Sequence, residues 1–255
     1  MDHYAWAWNP EALVVLALTA AYLVALRRYP AAGWRAACFL TAMALLLITS
    51  VTPVHTLATH YLLTVHLLQN VVLAEWAPLL VVLAISPSLA AELARRRALR
   101  ALTHPAIALP VWLANYMLWH LPWLYDTALE NPNTLLHLEH ALYLLTGIAM
   151  WWCVFQDEPH RLGAGARGGY VFAAFVLGSP IGLVLALVPN AIYDFYVATH
   201  HRVWGLDPLE DQQLAGMLMA VEQAVVFFAV FAYWFFRFLA EEERREDVDH
   251  PPAAA

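Results

Sequence analysis

Seven apolar segments separated by short polar stretches make up most of the chain. A helix needs about 20 apolar residues to cross the hydrocarbon core of a bilayer, and each segment has that length or nearly so. The segments are residues 6–26, 34–52, 58–85, 105–121, 135–155, 170–189 and 212–238. The pattern predicts an all-α integral membrane protein, a bundle of seven transmembrane helices that forms a single domain over residues 1–240.

The two ends of the chain differ in sequence pattern. No basic segment or small-residue cleavage site precedes the first apolar segment, so we expect that segment to remain as a helix. Residues 241–255 are charged and end in two prolines and three alanines, so they are predicted to be a disordered cytoplasmic tail. Most of the net charge of −7 comes from this tail, and we infer no partner from it, nucleic acid included.

Composition agrees with a membrane protein and excludes several mechanisms. The chain is 62% hydrophobic and 13% charged, whereas soluble domains carry about 25% charged residues. All 13 basic residues are arginine, so no lysine is present to form a Schiff base with retinal or to serve a nucleotide-binding P-loop. Cys38 and Cys153 lie in separate apolar segments without CxxC spacing, which argues against a disulfide framework or a thiolate metal site.

The arginines predict the orientation of the bundle. Loops on the cytoplasmic side of bacterial membrane proteins are enriched in basic residues. Twelve of the 13 arginines fall on one side of the predicted bundle, and only Arg202 falls on the other. We therefore expect the N-terminus outside and the C-terminus in the cytoplasm. The twelve are Arg27, Arg28, Arg35, Arg95, Arg96, Arg97, Arg100, Arg161, Arg167, Arg237, Arg244 and Arg245.

Histidines concentrate at the opposite, outer side. An ionisable side chain inside a bilayer costs free energy, so each one is treated first as a candidate functional residue. His66 lies within the third segment with Asn70 one turn deeper on the same face, and His120 ends the fourth segment with Tyr116 one turn below it. Taken singly, His66 or His120 is as well explained by a hydrogen bond between helices. The nine outer histidines are His3, His55, His60, His66, His120, His137, His140, His200 and His201.

The fifth segment begins with a metal-binding pattern. His137 and His140 are three residues apart and share one helix face, while Glu139 points elsewhere. Two such imidazoles suit copper or zinc, and thioethers nearby would favour Cu(I). The adjacent pair His200 and His201 is interpreted as interfacial. The methionines on neighbouring outer stretches are Met117, Met217 and Met219.

These residues carry a resemblance to a known family. HLPWLYD at 120–126, HLEH at 137–140 and the pair Trp151-Trp152 resemble the CtaG family of cytochrome c oxidase assembly factors, the seven-helix type associated with caa(3)-type oxidases. DQQLAG at 211–216 is similar to the second hallmark of that family. HLLQN at 66–70 is similar to its HMxQH element, but Asn70 stands where the second histidine usually lies.

The resemblance implies a membrane protein that matures a haem-copper oxidase by holding or delivering copper. Its implied partners are the oxidase subunits and an extracytoplasmic copper donor. We expect the metal ligands to be His66, His120, His137 and His140. Around them we expect a second set of polar residues that orient the imidazoles or guard the outer entrance. That set is Asn70, Tyr116, Glu139, Asp211, Gln212 and Glu222.

Other functions remain open on the sequence alone. Histidines on facing helices would also suit a b-type haem electron carrier. Glu75 and Glu222 inside the membrane would suit a proton-coupled transporter. A metal-free scaffold for oxidase subunits is the third alternative. An enzyme is not expected, because no nucleophile and base pair and no nucleotide-binding glycine loop stands out.

Overall fold

The computed structural model describes residues 2–199 and 201–249, and this part of the chain consists of helices and their connections, with no strand. Two π-helical turns, at Val72–Trp76 and Pro132–Leu136, lead into longer helices. The α-helices in chain order are α1 Glu11–Arg28, α2 Gly33–Val51, α3 Pro53–His60, α4 Leu63–Val71, α5 Ala77–Ala84, α6 Pro87–Leu93, α7 Arg97–Leu102, α8 Pro105–Trp119, α9 Pro122–Glu130, α10 His137–Phe155, α11 Ala164–Gly178, α12 Pro180–Leu187, α13 Asp194–Val197 and α14 Pro208–Asp249.

Proline and short capping side chains determine where several helices begin. The first helical position has no intrahelical partner for its N–H, so proline is tolerated there. At α3 the hydroxyl of Thr52 also accepts a hydrogen bond from Val54 N at 3.2 Å. Prolines therefore mark helix starts at both ends of the bundle. The helices that begin with proline are α3, α6, α8, α9, α12 and α14.

Among the described residues, five helical segments are long and apolar enough to cross a membrane. They are Gly33–Val51, Leu63–Ala84, Pro132–Phe155, Ala164–Leu187 and Pro208–Glu246. The other two predicted spans correspond to α1, which has 18 residues with three charged side chains at its ends, and α8, which has 15 residues. At 1.5 Å per residue α8 is about 22 Å long, short of a core of about 30 Å. The seven-helix count therefore stays a prediction.

The arginine-rich loops lie together at one end of the bundle. Arg35 at the start of α2 donates to the carbonyl oxygens of Leu83 and Ile85, both at 2.6 Å. His160 likewise contacts the carbonyl oxygen of Arg100 at 2.9 Å. The side of the membrane on which this end lies is still given only by the arginine distribution.

Two close helix crossings fix the register around the interior polar residues. A Cβ on Gly147 of α10 would lie 2.3 Å from the carbonyl oxygen of Ala74, so only glycine permits this approach to the π-helical turn. A Cβ on Gly216 of α14 would lie 2.4 Å from the backbone nitrogen of Ala186. The first crossing presses α10 against the π-helical turn between α4 and α5, and the second presses α14 against α12.

The last helix is longer than the sequence pattern indicates. The apolar pattern ends at residue 238, but α14 continues to Asp249. Within this extension Arg245 donates to the carboxylate of Glu242 one turn earlier at 2.6 Å, a pairing that favours helix. The predicted disordered tail thus begins as helix, and its part from residue 250 lies outside the described residues.

Candidate metal centre

A carboxylate at the N-terminal end of α1 joins the two histidines at the start of α10. Glu11 Oε1 lies 2.8 Å from Nδ1 of His137 and 2.7 Å from Nδ1 of His140. Glu11 Oε2 accepts a hydrogen bond from the hydroxyl of Ser50 on α2 at 3.0 Å. We call Glu11, His137 and His140 the Glu11 group. Together with Ser50, the Glu11 group connects α1, α2 and α10.

Local sequence explains how each member reaches this point. Glu11 follows Pro10 at the first position of α1, and its own N–H donates to the side chain of Asn9 at 3.0 Å. The π-helical turn Pro132–Leu136 ends where α10 begins, so His137 and His140 occupy the first turn of that helix on one face. The HxxH spacing therefore puts both imidazoles on one helix face, as helix periodicity predicts.

The Glu11 group borders a cavity and is itself well shielded. His140 is only 2% exposed, whereas the side chains of His137 and Glu11 are 26% and 17% exposed. The cavity beside them has a volume of about 260 Å³ and is otherwise lined by aliphatic side chains. Those side chains include Val14, Leu18, Leu46, Leu73 and Leu144. A polar group at the wall of an apolar cavity has the form of a small-ligand site.

The ligand atoms of the Glu11 group fit a transition-metal ion. Within residues 2–199 and 201–249, no other set of three histidine, cysteine, aspartate or glutamate side chains has ligand atoms within 4.8 Å of one another. A tetrahedral ion with ligands about 2.0–2.1 Å away keeps them about 3.3 Å apart, so the two N–O separations would lengthen by about half an ångström. Two imidazoles and a carboxylate are ligands that copper and zinc accept, and they leave a fourth position open.

His66 and His120 lie in a different place, among tyrosines. The ring of Tyr125 is 5.0 Å from that of His66 and 6.4 Å from that of His120, measured between centroids. We call the set of His66, His120, Tyr116, Tyr125 and Tyr196 the tyrosine cluster. All five are buried. The structure therefore does not unite the four predicted ligands, because only two of them belong to the Glu11 group.

Hydrogen bonds fix both imidazoles of the tyrosine cluster. The hydroxyl of Tyr196 donates to the carbonyl oxygen of Ala58 at 2.6 Å, so its oxygen accepts from Nδ1 of His66 at 2.8 Å. Nδ1 of His120 donates to the carbonyl oxygen of Tyr116 at 2.8 Å. In both histidines Nε2 is then the unprotonated nitrogen, and it is buried without a partner. The bond of His66 links α4 to α13, whereas the bond of His120 stays at the end of α8, the helix that also carries Tyr116.

Comparison with known proteins gives one match. Residues 20–241 match the sequence model of a family described as the cytochrome c oxidase caa3 assembly factor, Caa3_CtaG. The chain belongs to this family. No curated protein and no solved structure matches it significantly. The matched region includes the histidines of α10 but begins after Glu11, so the carboxylate of the Glu11 group lies outside what the family match covers.

Asn70 shows how this member of the Caa3_CtaG family departs from the pattern. Its side-chain amide donates to Glu139 Oε1 at 3.1 Å, and both side chains are buried. Glu139 is the neighbour of His140 in sequence but points away from the Glu11 group, as the helix periodicity predicts. The position that holds a histidine in the family pattern thus pairs with a carboxylate here.

The DQ motif of the last helix has backbone partners. Asp211, expected at an outer entrance, is 4% exposed, and its carboxylate accepts hydrogen bonds from the backbone nitrogens of Leu63 and Thr64 at 2.7 and 3.0 Å. It thereby caps α4. Gln212 accepts from the backbone nitrogen of Ile192 at 2.8 Å. Both side chains hold the outer connections to the bundle and do not line an opening.

Glu222 and Tyr116 lie away from the Glu11 group as well. The carboxylate of Glu222 accepts a hydrogen bond from the indole of Trp76, and the hydroxyl of Tyr116 accepts one from Gln223 at 3.0 Å. Glu222 therefore belongs to an interaction between α14 and the π-helical turn. The structure does not place Glu222 beside the predicted metal ligands, where the sequence analysis expected it.

Sequence reasoning missed Glu11 and overvalued the methionines. Glu11 is the one acidic residue of the predicted span 6–26, and that isolation was the available signal. Met117 and Met217 are 45% and 51% exposed, while Met219 is buried in the core. None of the three lines the cavity of the Glu11 group. Of the predicted interfacial pair His200 and His201, His200 lies outside the described residues.

His55 lies near the Glu11 group, with which it interacts electrostatically. It is carried by α3, between the second and third long helices, and its Nδ1 faces the amide of Gln69 at 3.3 Å. Burial and, to a smaller extent, the neighbouring His140 lower the pKa of His55 to about 4. The imidazole is therefore neutral at neutral pH, the form in which a histidine binds a metal.

Proposed function

We propose that this protein is an assembly factor of the bacterial plasma membrane that carries copper for a cytochrome c oxidase. The copper ion is its cargo, and the Glu11 group holds it. The observation that carries the proposal is the single carboxylate oxygen placed between two imidazoles at the wall of a cavity. Membership of the Caa3_CtaG family supports the oxidase as the recipient.

The surroundings of the Glu11 group suit temporary binding of a cation. The carboxylate balances part of the metal charge, and the open fourth position gives a donor or a recipient a way to attack the ion. With no thioether beside the cavity, the ligand set favours Cu(II) over Cu(I). The arginine distribution supports an N-terminus outside, which puts the group in the outer half of the membrane. An extracytoplasmic copper donor and the oxidase subunits are the partners proposed there.

A scaffold that works without metal is the second candidate. One observation favours it: Glu11 already accepts hydrogen bonds from both imidazoles and from Ser50, so the group is satisfied as it stands. In that case the three side chains would only tie α1 and α2 to α10. A b-type haem at this place is disfavoured, because a cavity of about 260 Å³ falls below the roughly 300–1,000 Å³ of pockets for drug-sized ligands.

Rescue of oxidase assembly separates the two candidates. Cells that lack this protein would receive the wild type, a His137→Ala/His140→Ala variant or a His104→Ala/His160→Ala control from the other end of the bundle, each at a matched level in the membrane. The copper proposal expects oxidase activity and oxidase copper to return with the wild type and the control only. Full rescue by the His137→Ala/His140→Ala variant would contradict it and establish the scaffold.

A further inference from the structure

A second pair of interacting ionisable side chains lies deeper in the bundle and has no part in the copper proposal. Glu75 sits in the π-helical turn Val72–Trp76 and has no exposed surface. Glu222 lies on α14, which packs along α4 directly before that turn, and it is half-buried. We call Glu75 and Glu222 the carboxyl pair.

Each carboxyl group has one oxygen with a fixed donor and one without. Gln223 donates from its amide to Glu75 Oε1 at 2.8 Å, and the indole of Trp76 donates to Glu222 Oε1. Neither Oε2 atom has a donor, although both are buried. These reciprocal bonds between residues 75–76 and residues 222–223 bring the two carboxyl groups side by side. An ionised carboxylate only accepts hydrogen bonds, so a hydrogen bond between the two groups requires a proton on one of them.

No positive charge compensates the pair in the part of the chain that the structure describes. The helix α8 contributes the neutral hydroxyl of Tyr116, which is linked to Gln223. The helix α11 brings Gly178 against the same glutamine. In α10 the residue that approaches the turn is Gly147, and α2 has no charged side chain after Arg35. Neither carboxyl group makes an ion pair with an arginine or histidine among the described residues.

We propose that the carboxyl pair is a proton-binding site that holds one proton between Glu75 Oε2 and Glu222 Oε2. Two carboxylates that share a low-dielectric site do not both ionise, and one retained proton supplies the donor that both Oε2 atoms lack. A metal cation fits less well. Only Glu75 Oε2, Glu222 Oε2 and Gln223 Oε1 are buried without partners here, whereas hard cations take six or more oxygen ligands.

The position of the site gives the bound proton a structural role. It joins α14 to the π-helical turn, and the amide of Gln223 extends the link to Tyr116 on α8. Loss of the proton would leave two negative charges between these helices. The half-buried Glu222 beside Trp76 is the member of the pair that is reachable from the surface of the bundle.

Infrared spectroscopy of the full-length protein in lipid vesicles tests this proposal. A protonated carboxylic acid has a carbonyl stretching band that an ionised carboxylate lacks and that shifts in deuterated water. We expect wild-type protein at neutral pH to show such a band. It should shift in Glu75→Gln and in Glu222→Gln, because the hydrogen-bond partner changes, and it should be lost in the double variant. Glu130→Gln, which alters an exposed carboxyl group, is the matched control and should keep the wild-type band.

Two results would overturn the proposal: no protonated-carboxyl band in the wild type at neutral pH, or a band that survives unchanged in the double variant. If the double variant fails to fold, the band shifts of the two single variants decide. An independent test uses a hydrophobic carbodiimide. The O–H of a protonated carboxyl group adds across the C=N bond of this reagent and gives an O-acylisourea. We expect this adduct on Glu222, located by peptide mass spectrometry, and its yield should fall as the pH is raised.

Discussion

The Glu11 group and the tyrosine cluster both hold two histidines, but they differ in what faces the imidazoles. In the Glu11 group a carboxylate faces both Nδ1 atoms, and a cavity adjoins them. In the tyrosine cluster the partners are a phenol and a backbone carbonyl, and the imidazoles are packed on tyrosine rings. A divalent cation is better balanced where a negative charge is present and where space remains for exchange. Burial of histidine alone therefore does not identify a metal site.

Loss of the two α10 imidazoles has the largest expected effect on copper binding. A His137→Ala/His140→Ala variant removes two of the three ligands, so we expect purified protein reconstituted with copper to retain none after passage over a chelating resin. A His66→Ala/His120→Ala variant should keep the wild-type copper content, measured by plasma mass spectrometry and normalised to folded protein. Copper lost only from the second variant would reverse the comparison between the two regions.

Removal of the carboxylate charge comes next. Glu11→Gln keeps the size of the side chain and one acceptor oxygen but removes the negative charge. Because even residues that only support a metal ligand change affinity about 10–100-fold, we expect copper affinity to fall by about 100-fold in competition titrations with a chromogenic chelator. Glu130→Gln is the control. An affinity equal to that of the wild type would show that Glu11 merely ties the helices together.

The capping role of Asp211 predicts a loss of stability without a change in copper binding. Asp211→Ala leaves the backbone nitrogens of Leu63 and Thr64 without acceptors, and loss of an N-cap costs about 1–2 kcal/mol. Thermal unfolding in detergent should show the loss, while copper affinity stays as in the wild type. Asp207, an exposed cap at the start of α14, offers a milder comparison. A strong fall in copper affinity in Asp211→Ala would show that Asp211 does lie at the entrance to the metal site.

How much of this was predictable from the sequence differs between the fold and the site. The apolar segments and the proline positions were enough to predict the helices, because the length of an apolar segment and the missing N–H of proline are local features of the sequence. The HxxH pair was predictable for the same reason, since helix periodicity puts His137 and His140 on one face. The partner Glu11 was not, because it arrives from another helix 126 positions earlier in the chain. His66 and His120 do not join that pair in the structure, and the sequence could not predict this because shared depth does not fix direction around the bundle axis.

The smallest expected effect concerns pH and His55. Its pKa in the folded protein is about 4, below the value of about 6.5 in an unfolded chain. The unfolded state therefore binds more protons between these values, and stability falls as the pH drops from about 6.5 towards 4. We expect His55→Gln to flatten this part of a curve of thermal midpoint against pH. A curve unchanged in the variant would show that His55 is not shielded as described.

X-ray absorption at the copper edge tests the central claim most directly. Wild-type protein loaded with one equivalent of copper should show two imidazole ligands and one further light ligand, with no sulfur, and the same spectrum should come from His66→Ala/His120→Ala protein. Glu11→Gln should change the shell of light ligands. A spectrum with four imidazoles, or one with a sulfur ligand, would contradict the assignment of copper to Glu11, His137 and His140.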